Sequence, residues 1–501
     1  MTIYNFNLGI GWASSGVEYA QTYRSQVFRN LGLDAKFIFM EMIKSENIIH
    51  LTRNIGFKDE EIIWLYQYFS DIKLSETTYT IKDVLNEWNQ KVIKEERSSK
   101  SAKFYFEGDS YVVMYLTREN ENFVDRAEFV IKGNLLRKDY YSYVRVFSEF
   151  YSPKDNACYL YLRRFYNEDG STAYDEIIDG KNSVFKFKDK ILYSYEQFCE
   201  HFVKLLNTTE NDVIIIDRAT QIGQPILRNK GKSKVLTVVH ADHYSADRVD
   251  DDTILWNNYY EYEFSHANHI DAFISSTDAQ SKLLAKQFKK YTSFTPKTTT
   301  VPVGSIKELK TPTEKRKKYS LITASRLAKE KHIELIIPAV VRAKQEIPEL
   351  SLDIYGTGGE LELLEKLIEQ NNAVDYINLK GHQNLDEVYK NYECYISASM
   401  SEGFGLTLLE AVGSGLAMIG FNVPYGNPTF IKNNHNGVLI KKGEDETNEE
   451  LINKLVDSIV HLFNSNNLND FHDYSYKIAS KYLSKKVENK WKKVIKEALN
   501  D

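Results

Sequence analysis

Glu402 and Glu410 bracket the densest chemical signal in the chain, Ser401-Glu-Gly-Phe-Gly-Leu-Thr-Leu-Leu-Glu. An ionised carboxylate only accepts hydrogen bonds, so each glutamate suits a pair of sugar hydroxyls. Gly403 and Gly405, either side of Phe404, let backbone come close to a ligand. The helix expected beyond them turns free N–H groups toward a phosphate or another anion. Taken singly, a surface glutamate and a helix-supporting glutamate explain the same pattern. The neighbouring loops decide against that. Arg326 and Lys331, in Ser325-Arg-Leu-Ala-Lys-Glu-Lys, set a forked cation and a point cation near one helix start, an arrangement fit for a diphosphate. Tyr355-Gly-Thr-Gly-Gly and Gly381-His-Gln follow the next two predicted strands, and the latter brings in His382 and Gln383.

These loops need strands to carry them. Buried-strand patterns fall at 320–324, 352–355, 376–379, 394–397, 416–421 and 437–440, with helical periodicity between most of them. The chain also opens with a strand at 2–7, a loop holding Gly9, Gly11 and Gly16, a helix over 17–30 stopped at Gly32, and a strand at 36–40. Further strands are expected at 212–217, 235–239, 271–275 and 298–303. Two such α/β units predict a ligand cleft at the carboxyl ends of their sheets. Between 103 and 188 the rhythm changes to short aromatic and β-branched pieces, at 103–106, 111–116, 127–131, 143–150, 159–165 and 183–187. That predicts an inserted antiparallel meander with one wet face. The expected domains are 1–80 with 195–306, an insertion over 81–194, a second α/β domain over 307–480, and a C-terminal helix in 481–501. The stretch 307–318, with its Lys-Arg-Lys-Lys run, reads as a solvated linker. In the terminal helix Val487, Trp491, Val494, Ala498 and Leu499 share a face, which predicts packing back on the N-terminal domain with lysines facing water. Contact with anionic lipid is the alternative.

A length of 501 residues predicts about three units. The formal charge of −6 excludes a globally basic nucleic-acid coat, and 42% hydrophobic with 27% charged residues fits a soluble globular chain. Cys158, Cys199 and Cys394 lie far apart and match no zinc or redox spacing, which points to a reducing compartment. The N-terminus lacks a basic region before an apolar run and reads as a strand rather than a signal peptide; no membrane span is expected. Asp250-Asp-Asp252 matches a D-x-D metal motif in form, but its acidic loop setting reads as a solvated turn, and no metal is expected. His240 ends a strand in Val238-Val-His-Ala-Asp-His243, where a histidine is ordinarily structural and where His243 is the rival candidate.

The constellation resembles the retaining nucleotide-sugar glycosyltransferases of the GT-B architecture, family 4 branch. Their E-x7-E motif matches Glu402 and Glu410, and their Arg–Lys pair matches Arg326 and Lys331. That implies an α/β GT-B fold, two Rossmann-like domains facing a cleft, here with an inserted antiparallel β-sheet domain. The front end, Asn7-Leu-Gly-Ile-Gly-Trp-Ala-Ser-Ser-Gly-Val-Glu-Tyr, together with the aromatic insertion, is similar to the catalytic subunits of the accessory-Sec glycosyltransferases. Those bacterial enzymes move N-acetylglucosamine from UDP-GlcNAc to Ser/Thr of serine-rich-repeat adhesins and work with a homologous, non-catalytic partner subunit. The resemblance implies that Gly16, Val17, Glu18 and Tyr19 face the donor diphosphate and that His240 contacts the transferred sugar. It places His382 and Gln383 by the nucleotide, Glu402, Gly403, Phe404 and Gly405 on the sugar, and Glu410 on the ribose. Arg326 and Lys331 would stabilise the departing diphosphate in place of a metal. UDP-GlcNAc is then a substrate, with no cofactor and no nucleic acid. The tyrosine-rich insertion is expected to dock the partner first and a Ser/Thr-rich acceptor polypeptide second. The expected location is cytoplasmic, with peripheral contact at the inner face of the cell membrane. Two rivals remain: a polyol-phosphate N-acetylglucosaminyltransferase of wall teichoic acid, and a non-catalytic acceptor-binding adapter.

Overall fold

Short runs of β-branched and aromatic residues with no polar alternation are buried on both faces, and they pair in parallel. In the computed structural model, strand Ile3–Asn7 lies between Val213–Ile216 and Ala35–Phe39. Lys234–Val239 extends the sheet on one side and Ile62–Trp64 on the other, all parallel. The helix Gly16–Asn30 follows the first strand and ends two residues before Gly32. The structure describes residues 1–11, 16–118, 120–155, 157–443, 445–465 and 467–500; residues 12–15 of the front-end motif lie outside this set. Contacts divide the chain into two units. One is Met1–Val238 with Trp256–Asp271 and Ala498–Asp501; the other is Val239–Leu255 with Ala272–Glu497.

The second unit holds a six-stranded parallel sheet in the order Ile377–Gly381, Ser351–Tyr355, Ser320–Ala324, Cys394–Ser397, Ala417–Phe421, Gly437–Ile440. Successive side chains of one strand enter opposite cores. Leu321, Ile354, Ile396 and Ile419 pack with the helices Ile333–Ala343 and Asn448–Asn464. Ile322, Tyr355, Tyr395 and Met418 pack on the other face with Leu406–Gly413 and Leu468–Ala479. This two-sided cover makes the sheet Rossmann-like. The same unit contains the parallel pair Ala272–Ser275 and Thr298–Thr300.

The inserted sheet is an antiparallel meander of ten strands in chain order, from Lys94–Arg97 to Ile191–Leu192. Its first half alternates as expected. Ala102, Phe104, Phe106, Val112, Met114, Ala127 and Phe129 bury one face under the helix Ile81–Trp88. Lys103 lies over the Tyr111 ring at 3.9 Å on the wet face. The expected strand at 143–150 is instead Arg145–Lys154, preceded by Asn134–Tyr141. Asn134–Tyr141 hides from periodicity because its wet positions are charged pairs across the ladder, such as Lys138 to Glu128 at 2.8 Å.

The Lys-Arg-Lys-Lys run is not wholly solvated. The Arg316 guanidinium donates to the carbonyls of Lys390, Tyr392 and Ser414 at 2.9, 2.7 and 2.7 Å, while Lys315, Lys317 and Lys318 are exposed. The terminal helix Ser484–Asn500 buries Val487, Trp491, Val494, Ile495 and Ala498, with Leu499 half-buried. Lys485, Lys486, Lys490, Lys492, Lys493 and Lys496 are exposed. Among the described residues no helix is long and apolar enough to cross a membrane.

Candidate functional site

Strand order explains which sequence-distant groups meet. Ser320–Ala324 and Cys394–Ser397 are adjacent and parallel, so the loops beyond their carboxyl ends adjoin. Lys331 leaves the first loop and Glu402 the second, and Lys331 Nζ donates to Glu402 Oε2 at 2.6 Å. Both side chains are 19% exposed, so solvent screens the pair only in part. Arg326 faces outward, 69% exposed, and donates to Glu330 Oε1 at 2.7 Å. A guanidinium held so loosely keeps its donors available to an anion.

Tyr395 ties the two loops from below. Its hydroxyl donates to the Ala324 carbonyl at 3.0 Å and lies 2.9 Å from Thr407 Oγ1, in the first turn of Leu406–Gly413. Gly405 precedes that helix at φ +85°, where a side chain would also run into Leu408. Glu410, five residues beyond Gly405, keeps part of its surface. Enough protein surrounds its carboxyl to push it up to about 7, offset in part by a hydrogen bond from Tyr389.

The Glu402 backbone is bound on both sides to the loop after Ala417–Phe421. Its N–H donates to Pro424 O at 3.0 Å, and its carbonyl accepts from the N–H groups of Tyr425 and Gly426 at 2.7 and 2.6 Å. The His240 loop belongs to the same unit. A Cβ on Gly403 would stand 2.6 Å from the His240 carbonyl oxygen, so only glycine allows this approach. Ser401 Oγ donates to Asp242 Oδ2 at 2.7 Å. His240 itself is half-buried at the end of strand Lys234–Val239, whereas His243 is fully buried, with Nε2 2.6 Å from Gln287 Oε1.

The structure thus brings Lys331, Glu402, Gly403 and the His240 loop together, with Phe404 buried beneath. His382 and Gln383 lie exposed beyond strand Ile377–Gly381, and Gln383 Nε2 donates to Lys380 O at 2.8 Å. Gly16, Val17, Glu18 and Tyr19 form the first turn of Gly16–Asn30 in the other unit. There Tyr19 is exposed and Glu18 buried, accepting from Asn7 Nδ2 at 3.2 Å with Arg218 at 3.6 Å. Tyr425 was missed in the sequence; its signal was its place in Asn422-Val-Pro-Tyr-Gly, one more loop after a buried strand. Asp250 folds back on Asp252 N, Thr253 N and Thr253 Oγ1 at 2.8, 2.6 and 2.9 Å, the hydrogen bonding of a turn. Among the described residues no three His, Cys, Asp or Glu side chains are grouped to hold a metal ion.

Comparison with known proteins adds an independent line. Residues 94–189 match the GtfA extended beta-sheet domain, and residues 305–476 match glycosyl transferases group 1. The UDP-N-acetylglucosamine–peptide N-acetylglucosaminyltransferase GtfA subunit of Streptococcus agalactiae is 52% identical over 503 residues, covering 100% of this chain and 99% of that protein. The crystal structure of the pneumococcal O-GlcNAc transferase GtfA in complex with UDP and GlcNAc superposes with a TM-score of 0.95 at 50% identity, covering 100% of this chain and 99% of that one. A chain of the GtfA/B complex crystal structure gives 0.95 at 48% identity, with 100% of both chains covered. Two Rossmann-like sheets with an inserted antiparallel sheet make this a GT-B fold. Full-length identity at this level settles the family: the chain belongs to the UDP-N-acetylglucosamine–peptide N-acetylglucosaminyltransferase GtfA subunits.

Proposed function

We infer that this chain transfers N-acetylglucosamine from UDP-GlcNAc to Ser/Thr hydroxyls of a polypeptide, as the catalytic subunit of a complex with a homologous partner. The observation that carries the reading is the full-length likeness to a transferase solved with UDP and GlcNAc, joined to the Lys331–Glu402 pair beside the His240 loop. In the reaction the bond from the sugar C1 to the diphosphate oxygen breaks and a bond from C1 to the acceptor oxygen forms. The acceptor proton leaves toward the diphosphate, on the same face, with retention of configuration. Arg326 and Lys331 stabilise the growing diphosphate charge, a role that makes a metal unnecessary. Glu402 to Gly405 and His240 hold the sugar, Glu410 holds the ribose, His382 and Gln383 border the nucleotide, and Gly16 to Tyr19 face the diphosphate. The acceptor we propose is a serine-rich-repeat adhesin handled by an accessory Sec route, modified in the cytoplasm at the inner face of the membrane.

The test is transfer from UDP-GlcNAc to a Ser-rich peptide, followed by mass spectrometry, for the chain alone and with its partner, in EDTA throughout. Sugar addition is expected, and Arg326→Ala should lower turnover by roughly 10²–10³. Transfer to ribitol phosphate but not to peptide would move the assignment to the teichoic-acid enzymes, and absence of UDP binding would make the chain an adapter.

A further inference from the structure

His243 lies three residues beyond His240 and is fully buried. Its Nε2 is 2.6 Å from Oε1 of Gln287, on the helix Asp278–Tyr291, and its Nδ1 is 3.4 Å from the Tyr425 hydroxyl. An amide oxygen only accepts, so Nε2 carries the hydrogen and Nδ1 is left to accept from the tyrosine. Burial holds the imidazole down at about 4, so this neutral tautomer persists at neutral pH. The two rings lie 6.1 Å apart at 24°. Tyr425 is 3% exposed, and its backbone N–H is one of the two that bind the Glu402 carbonyl. A continuous path therefore runs from Gln287 through His243 and Tyr425 to Glu402 and on to Lys331.

The loops joined by this path meet at two more points, Ser401 with Asp242 and Gly403 with the His240 carbonyl. Those two points flank Glu402, whose backbone in turn holds Pro424 to Gly426. The Tyr425 hydroxyl, donating to an imidazole that Gln287 holds in one tautomer, adds a side-chain contact between the Pro424 to Gly426 loop and the His240 loop. We propose that Tyr425 and His243 are positioning residues for sugar transfer, fixing the spacing between His240 and the Glu402 loop without touching the substrate themselves. The inference rests on the transfer reaction above and adds to it a device that acts on the sugar end of the site rather than on the nucleotide end.

The experiment uses the complex with its partner, GlcNAc transfer to a Ser-rich peptide, UDP calorimetry and thermal melting. Tyr425→Phe removes one oxygen. It should lower kcat about three- to tenfold, the loss of one buried hydrogen bond, with UDP affinity within about twofold. The histidine variants separate the two ring nitrogens. His243→Asn keeps an acceptor near the Nδ1 position, while His243→Gln reaches only the Nε2 position, so the asparagine variant should retain more activity. Unchanged kcat in Tyr425→Phe overturns the proposal even if the melting temperature falls. So does a loss of UDP affinity in proportion to kcat, which would place Tyr425 in nucleotide binding. Should the histidine variants not fold, Tyr425→Phe decides alone. No transfer by the wild-type complex would overturn the underlying reaction, and this inference with it.

Discussion

The carboxyl of Glu410 links burial, pH and ligand chemistry in one group. Burial raises it from 4.5 to about 7. A group raised on folding adds stability that is complete below its unfolded pKa and is lost as pH rises through the folded one. The window here is pH 4.5 to about 7, worth on the order of 3 kcal/mol across it. Glu410→Gln cannot ionise, so it should be more stable than wild type at pH 8 by about that amount, with the gap closing near pH 4.5. Denaturant unfolding at both pH values measures this, and a gap that does not change with pH counts against it. The same variant should bind UDP more weakly if the carboxylate serves the ribose. The spacing of Glu402 and Glu410 exposed both groups in the sequence. The Lys331–Glu402 contact was not legible, because it follows from two strands becoming neighbours only after the chain crosses over. His243 was visible as a rival to His240 and Tyr425 sits in a loop after a buried strand, but their meeting was not legible because it depends on tertiary packing.

At the scale of elements, the helix Gly16–Asn30 is fixed to its sheet by a buried polar anchor. Asp217, just past Val213–Ile216, accepts from Gln21 Nε2 at 2.7 Å and is paired with the Arg24 guanidinium. Arg24 and Asp217 are almost fully buried. Removing one partner of such a pair leaves a charge without compensation, at a cost of roughly 3–5 kcal/mol. Asp217→Asn should therefore destabilise the unit by about that much, and Arg24→Met with Asp217→Leu by less than either single change. A strictly additive double mutant would refute the coupling. The helix was readable from its periodicity and from Gly32, but nothing in the sequence assigned Asp217 to it, since they lie far apart along the chain. Strands of the second sheet were readable almost to the residue: 320–324 and 437–440 coincide with the observed bounds, because doubly covered strands are unbroken apolar runs. Linker composition misled for Arg316, whose partners are backbone carbonyls and leave no trace in residue types.

At the scale of the whole molecule, the question is whether the inserted sheet is a separable body. Its aromatic residues form a stack across strands, Tyr140–Phe147 at 4.2 Å, Phe147–Phe165 at 5.2 Å and Phe165–Tyr174 at 4.5 Å. That stack continues into residues outside the insertion. Tyr66 lies 5.8 Å from Phe165, and Phe198 lies 4.0 Å from Phe185. Tyr174 Oη donates to the Tyr66 carbonyl at 2.6 Å, and Ser70 Oγ to the Tyr166 carbonyl at 2.6 Å. Each aromatic ring stripped of its partner exposes roughly 150–250 Å², on the order of 4–6 kcal/mol as an upper bound. The matched segment 94–189, although it contains most of a sheet, lacks Tyr66, Phe69 and Phe198, which complete its core. Expressed alone it should show no cooperative melt in its tyrosine near-ultraviolet dichroism and should bind a hydrophobic dye. A fragment of residues 1–238, which retains both sides of the stack, should melt as one transition. Cooperative folding of the excised sheet would mean that the aromatic stack is an interface between two bodies rather than one core shared across the insertion point.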